Sequence, residues 1–185
     1  MKSYKELDIR ATRRANNYSK KEYFLRVLWS FMKPIFKYSP RTFFSFRSNI
    51  LKLFGAKIGK SVHIYPSAII YFPWNLEIGD YSSIGEWALI YNLGPVKIGA
   101  KVTISHRAHL CAGTHDYNIV NLPLMKKGIY IGSQAWICAD AFIGPGVKVA
   151  EGAIVGAGSI CNRHVEEWNI VAGNPCKFIK KRILK

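Results

Sequence analysis

The sequence predicts an all-β repeat fold: a parallel β-helix shaped as a triangular prism, with a helical segment before it and one extruded loop within it. A period of six carries the prediction. Ile58, Ile64, Ile70, Ile78, Ile84, Ile90, Ile98, Ile104 and Leu110 fall in phase, and Ile131, Ile137, Ile143, Val149 and Val155 resume the count. Neither a helix nor a simple strand repeats every six residues, whereas a solenoid of short flat faces does. Small or β-branched residues stand four positions after most of these aliphatics, Val62, Ala68, Ser82, Ala88, Val102 and Ala108 among them. Each hexad therefore offers two inward side chains. Ile58, Ile78 and Ile98 are twenty apart, which is three hexads plus two residues at one corner, hence three faces per coil. Gly59, Gly79, Gly99 and Gly132 follow the first aliphatic of a coil, where a corner calls for a backbone without Cβ.

Residues 1–55 precede the repeats. Residues 1–18 read as a polar lead-in. Tyr23, Phe24, Val27, Leu28, Phe31 and Met32 make a helical stripe that Pro34 ends or kinks. Ser39 and Pro40 read as N-cap and first turn of a second helix that runs through Phe54 and stops at Gly55. Such helices either cap the open end of the prism, or lie on a membrane surface with Arg41, Arg47 and Lys52 near lipid phosphates. The repeat region, 56–161, is interrupted once, by the loop 111–130, and long insertions of this kind are usually functional. The tail, 162–185, breaks the period, turns at Gly173-Asn174-Pro175 and ends on Lys177, Lys180, Lys181, Arg182 and Lys185.

Charge and cysteine usage narrow the classes. The net charge is +16, and residues 1–60 hold fifteen Lys/Arg against Glu6, Asp8 and Glu22. So strong a bias calls for an anionic partner: phosphate groups, an acidic membrane surface or nucleic acid. Cys111, Cys138, Cys161 and Cys176 lack CxxC spacing, so they are expected as reduced thiols in a cytoplasmic protein, with no zinc site. The first twenty-one residues offer no apolar signal core, and no apolar stretch is long enough to span a bilayer. Among the histidines, His63, His106 and His109 occupy outward slots and His164 sits in the tail. His115 stands in the insertion, beside Thr114 and Asp116, and a histidine is the natural general base near neutral pH. Arg163, Lys177 and Lys180 offer an anion site. GxxxxGK[ST], GxGxxG, HExxH and GxSxG are absent.

The stretches IGKSVHIYPSAI and IGSQAWICADAFIGPGVKVAEGAIVGAGSI, the GTHD loop and the VAGNPCKFIKKRI tail resemble the hexapeptide-repeat acyltransferases over residues 56–182. SPRTFFSFRSNILKLFGAKIGKSV, YFPWNLEIGDYSSIGE and YNLGPVKIG are similar to the colanic-acid and capsule acetyltransferases of exopolysaccharide biosynthesis. The resemblance implies a left-handed β-helix, an exception to the right-handed crossover rule, and a homotrimer with active sites in clefts between neighbouring prisms. It implies an acetyl-CoA-dependent O-acetyltransferase whose acceptor is a sugar or a lipid-linked sugar, and it turns the basic charge away from nucleic acid. His115 matches the family's catalytic base. Asn92 matches a polar partner upstream of the loop, and Asp116 either orients His115 or caps a turn. The acetyl-CoA contacts map onto the Ala139 backbone N–H, Ala157, Asn162, Arg163, Lys177 and Lys180, and Trp136 onto a tryptophan lining the acceptor cleft. A serine or antibiotic acceptor is the alternative within the class. A γ-type carbonic anhydrase, with three histidines on zinc, and a non-catalytic hexapeptide scaffold are the alternatives outside it.

Overall fold

The computed structural model describes residues 6–185. The first five residues of the basic arm, Lys2 and Lys5 among them, lie outside the described residues. The repeats form a left-handed parallel β-helix of about six turns, with a few helices at its N-terminal end. Each of its three faces is a parallel sheet of two- to four-residue strands. The first face stacks Lys57–Ile58, Leu76–Ile78, Val96–Ile98, Ile129–Ile131 and Lys148–Val149. The second stacks His63–Ile64, Ser83–Ile84, Thr103–Ile104, Trp136–Ile137, Ile154–Val155 and Asn169–Ala172. The third stacks Ile69–Ile70, Leu89–Tyr91, His109–Cys111, Phe142–Ile143 and Ile160–Cys161. Register follows the hexads: Ile58 pairs with Ile78, Ile64 with Ile84 and Ile70 with Ile90.

The phase of six thus becomes three stacked aliphatic columns. Ile64, Ile84, Ile104, Ile137 and Val155 are wholly buried, as are the intervening Ala88, Ala108, Ala141 and Ala153. Each fully buried isoleucine contributes roughly 1.5–3 kcal/mol. The small residues leave the prism interior just wide enough for the large ones.

The corners correct one expectation. Gly59, Gly79, Gly99 and Gly132 do not have left-handed backbones; the coil stacked on them comes too close for a side chain. A Cβ on Gly79 would lie 2.6 Å from the Ala100 backbone nitrogen. The turn between first and second faces is made three residues later by Ser61, Tyr81, Lys101, Gln134, Gly152 and Trp168, all with positive φ. Five of these six are not glycine, so stacking must override a local cost of about 1–2 kcal/mol each.

Three helices close the N-terminal end. α1, Ile9–Arg14, sits within the predicted lead-in, and the Asp8 carboxylate caps it by accepting from the Ala11 N–H. α2, Lys20–Lys37, starts on a Ser19/Glu22 capping box and carries Pro34 inside its last turn without ending there. α3, Phe44–Leu53, starts later than expected and has no side-chain cap. Ser39 is not its N-cap. The Ser39 hydroxyl donates to the Phe36 carbonyl and accepts from Arg47.

Arg47 gives the second correction. Instead of facing lipid, it is wholly buried. Its guanidinium donates to the carbonyls of Ile64, Pro40 and Arg41 at 2.6, 2.7 and 2.6 Å and to the Ser39 hydroxyl at 2.8 Å. Trp29 Nε1 donates to the Ile70 carbonyl at 2.9 Å. Ile64 and Ile70 belong to the first coil, so these two bonds cover edge carbonyls that the open end of the prism would otherwise present to water. Trp29, Phe36, Ile50, Leu51 and Phe54 join the core. The helices are therefore a cap. Yet Phe24, Val27, Phe31, Ile35 and Tyr38 stay exposed on the far side of α2. No helix among the described residues is long and apolar enough to cross a membrane.

The loop and tail are more ordered than their sequences imply. Cys111 pairs with Tyr91 on the third face, and Ile129–Ile131 belongs to the first face, so both edges of the predicted loop are solenoid strand. Between them, Thr114–His115 and Leu124–Met125 form an antiparallel hairpin. After Cys161, Asn169–Ala172 adds a sixth strand to the second face, and Lys177–Lys181 folds back antiparallel on it. All four cysteines are free.

Candidate active site

His115 sits on the hairpin where the third face turns into the first, paired with Leu124. Its Nδ1 lies 2.6 Å from the Leu122 carbonyl, an acceptor only, so Nδ1 carries the proton and Nε2 is left with its lone pair toward solvent. A main-chain carbonyl thus does what a carboxylate does in many histidine bases: it fixes tautomer and ring orientation. Leu122 adopts φ +43 to aim that carbonyl, a strained backbone for leucine.

The two other predicted catalytic residues are placed otherwise. Asp116 Oδ1 accepts from the Asn118 N–H at 3.0 Å, so its carboxylate caps the hairpin turn and Leu122 orients the histidine. Asn92 is wholly buried. Its amide donates to the Phe72 carbonyl at 2.6 Å and accepts from the Phe72 N–H at 2.9 Å. Both ends of the side chain are spent on holding the same corner one coil earlier, which leaves Asn92 no reach to a substrate.

A pocket of about 370 Å³ opens beside His115, with Asp116, Asn118, Lys127 and Asn162 on its walls. A second hollow of about 500 Å³ shares Lys127, Pro145 and Asn162 and reaches Arg163 and His164. Lys127 is the cation that sequence reasoning missed. It lies in the return arm of the hairpin, and its link to Arg163 exists only once the fourth and fifth coils stack beneath. The largest depression on the chain, about 630 Å³, lies on the first face over Gly59, Gly79 and Gly99. It holds no histidine, cysteine or serine, and it exists because that column lacks side chains.

The remaining predicted residues gather elsewhere. Trp136 stands half-exposed on the second face, its indole N–H donating to Ser105 Oγ at 2.8 Å. Ala139 and Ala157 follow at the corner between second and third faces, one coil apart, joined by the Gly158 N–H to the Ala139 carbonyl. Neither alanine N–H meets a backbone acceptor among the described residues. Lys177 and Lys180 lie exposed on the last strand of the second face. One chain thus brings His115, Asn162 and Arg163 to one corner, and Trp136, Ala139, Ala157, Lys177 and Lys180 to another side. Open N–H groups flanked by lysines suit phosphate and pantetheine amides, so the residues present fit a coenzyme A chain.

The N-terminal arm braces the hairpin. The Asp8 N–H donates to the Val120 carbonyl at 2.8 Å and the Thr12 hydroxyl to the Asn121 carbonyl at 2.5 Å. Lys126 lies 3.6 Å from Glu22 and 4.5 Å over the Tyr18 ring.

A left-handed hexapeptide prism with a histidine on an extruded hairpin and a basic C-terminal edge defines an acetyltransferase class. No family model matches the chain. The putative colanic acid biosynthesis acetyltransferase WcaF of Escherichia coli K12 is 37% identical over 159 residues, covering 86% of this chain and 87% of WcaF. Chloramphenicol acetyltransferase of Escherichia coli is 46% identical over 116 residues, covering 58% of this chain and 51% of that enzyme. Among solved structures, galactoside acetyltransferase in complex with coenzyme A superposes with a TM-score of 0.82 at 24% identity, covering 94% of this chain and 88% of that one. The chain belongs to the hexapeptide-repeat acetyltransferases, in the family of WcaF.

Proposed function

We propose that the protein transfers an acetyl group from acetyl-CoA to a sugar hydroxyl in the assembly of an exopolysaccharide. The observation that carries this is the His115 imidazole, held by the Leu122 carbonyl with Nε2 free over a pocket. The acceptor hydroxyl gives its proton to Nε2, and its oxygen attacks the thioester carbonyl directly. The C–O bond forms as the C–S bond breaks, and the proton returns from His115 to the departing thiolate. Backbone N–H groups steady the tetrahedral oxyanion, a role worth about 2.7–4 kcal/mol per donor in other enzymes. No acyl-enzyme is required. The sugar acceptor draws support from the polysaccharide named for WcaF and the galactoside named for the solved relative. The chloramphenicol enzyme supports an antibiotic acceptor, but over little more than half of this chain.

A homotrimer accounts for the split between the two groups of residues. His115, Asn162 and Arg163 of one protomer would face Trp136, Ala139, Ala157, Lys177 and Lys180 of the next, and one site would need two chains. The test is acetyl transfer from labelled acetyl-CoA to nucleotide sugars, lipid-linked glycans, serine and chloramphenicol. Transfer to a glycan is expected, with the KM for acetyl-CoA raised in Lys177→Glu and Lys180→Glu and raised further by salt. Transfer confined to chloramphenicol or serine, or an unmoved KM, sinks the corresponding part of the reading.

The outward face of α2 supports a peripheral place at an anionic membrane, with Phe24, Phe31 and Ile35 at the surface and Lys20, Lys21 and Lys37 around them. Each cation near such a surface contributes about 1 kcal/mol. Co-sedimentation with phosphatidylglycerol vesicles, lost in high salt and absent with phosphatidylcholine, is the expected result. Equal recovery with both lipids removes the proposal.

A further inference from the structure

α2 packs across the third face, and a furrow runs along that seam with chemistry that changes from end to end. At its middle lie Arg26 and Lys33, two turns apart on one side of the helix, in a pocket of about 390 Å³ walled by Tyr23, Tyr71 and Phe72. The Arg26 guanidinium stands 4.5 Å from the Tyr18 ring and 5.5 Å from Phe72, and the Lys33 ammonium 5.6 Å from Tyr71. No carboxylate among the described residues forms an ion pair with either cation. Burial and the nearby Arg26 charge hold the Lys33 ammonium below its ordinary pKa. Two unpaired cations that repel each other are placed for a dianion. Arg26 brings a planar fork and Lys33 a point charge.

Beyond Lys33, toward the C-terminal end of α2, the seam turns apolar. A hollow of about 140 Å³ is lined by Phe36, Ala68, Ile69, Ile70 and Trp87. Trp87 and Ile69 remain substantially exposed, although both are large apolar side chains. At the opposite end, Arg26 adjoins Tyr18, and Tyr18 meets Lys126 of the His115 hairpin. From Glu22 beside Lys126 to Lys37 beside Trp87 the helix rises about 22 Å, at about 1.5 Å per residue. The order along the seam is therefore hairpin, dication, apolar hollow.

We infer that this furrow binds an isoprenoid diphosphate ester, with the diphosphate on Arg26 and Lys33, the start of the hydrocarbon chain on Ile69 and Trp87, and the attached sugar directed toward the His115 hairpin. The inference rests on the sugar-acceptor reading above and names the acceptor's anchoring group. A nucleotide sugar would satisfy the cations and leave the apolar hollow unused, and a bilayer headgroup would use neither the furrow's length nor its far end.

The test is calorimetric titration of the full chain, saturated with coenzyme A so that its phosphate contacts are occupied. The probes are farnesyl diphosphate below its micellar concentration, farnesol and inorganic pyrophosphate, with phosphatidylglycerol vesicles as a separate arm. Farnesyl diphosphate binds about tenfold tighter than either pyrophosphate or farnesol. The double substitution Arg26→Gln/Lys33→Gln weakens it by a further factor of about ten, the effect of one lost charge-assisted contact of about 1.4 kcal/mol. Trp87→Ala narrows its advantage over pyrophosphate. Coenzyme A affinity and thermal midpoint stay unchanged in both variants, which separates loss of the site from loss of the fold. Farnesyl diphosphate no tighter than pyrophosphate, or indifferent to the double substitution, overturns the inference. So does vesicle binding that the double substitution abolishes when farnesyl diphosphate does not bind at all. Because no acetyl transfer is measured, these results leave the sugar-acetylation reading to its own assay.

Discussion

Replacing His115 with alanine lowers acetyl transfer by about 10²–10⁴-fold, the usual worth of a positioned general base. The side chain is exposed on a hairpin whose backbone bonds do not depend on it: the Asp116 N–H reaches the Pro123 carbonyl, and Thr114 and Met125 pair across the strands. Coenzyme A affinity and the thermal midpoint should therefore match the wild type. His115→Gln is the sharper control, since its amide N–H₂ can still donate to the Leu122 carbonyl but offers no lone pair of comparable basicity. It should be as inactive as His115→Ala. Steady-state transfer rates with saturating acetyl-CoA decide the matter, and activity within twofold of wild type in either variant removes His115 from the base role.

The second large effect is on stability. Arg47→Met keeps the length and apolar stem of the side chain and removes four hydrogen bonds at the cap. It leaves the carbonyls of Ile64, Pro40 and Arg41 without their donor in a buried site. Removing one partner from such a charged network typically costs about 3–5 kcal/mol. For a chain of this length that corresponds to a fall in thermal midpoint on the order of 10 °C. Arg47→Lys should recover little, because an ammonium cannot span three carbonyls and a hydroxyl that a guanidinium reaches from one plane. A thermal scan checks both. A midpoint within about 2 °C of wild type for Arg47→Met would mean that the edge of the first coil is held by Trp29 and the α3 contacts alone.

The prism was legible because its rule is local and repeated. One aliphatic and one small residue per hexad specify which atoms point inward, and each coil reads the same rule again, so Ile58 and Val155 obey one count. The base was legible too, through the only break in that count. What the sequence hid were contacts between residues far apart along the chain. Arg47 reads as a surface cation on an amphipathic helix until the Ile64 carbonyl, seventeen residues later, is seen to end at its guanidinium. Asn92 reads as a polar candidate near a catalytic loop until Phe72, twenty residues earlier, is seen to consume both ends of its amide. Lys127 reads as one of a pair of loop lysines until stacking places Asn162 beside it.

By itself, then, the sequence determined the solenoid, its three faces, the position of the histidine and the basic bias of the ends, since each is written in spacing or composition. The tertiary structure alone decided that Leu122 rather than Asp116 orients His115, that the N-terminal helices cap the first coil, and that Arg26 and Lys33 face one furrow. The reason is geometric. A hydrogen-bond partner is chosen by the direction of a carbonyl or N–H, and those directions are fixed only when coils stack and helices settle across their edge.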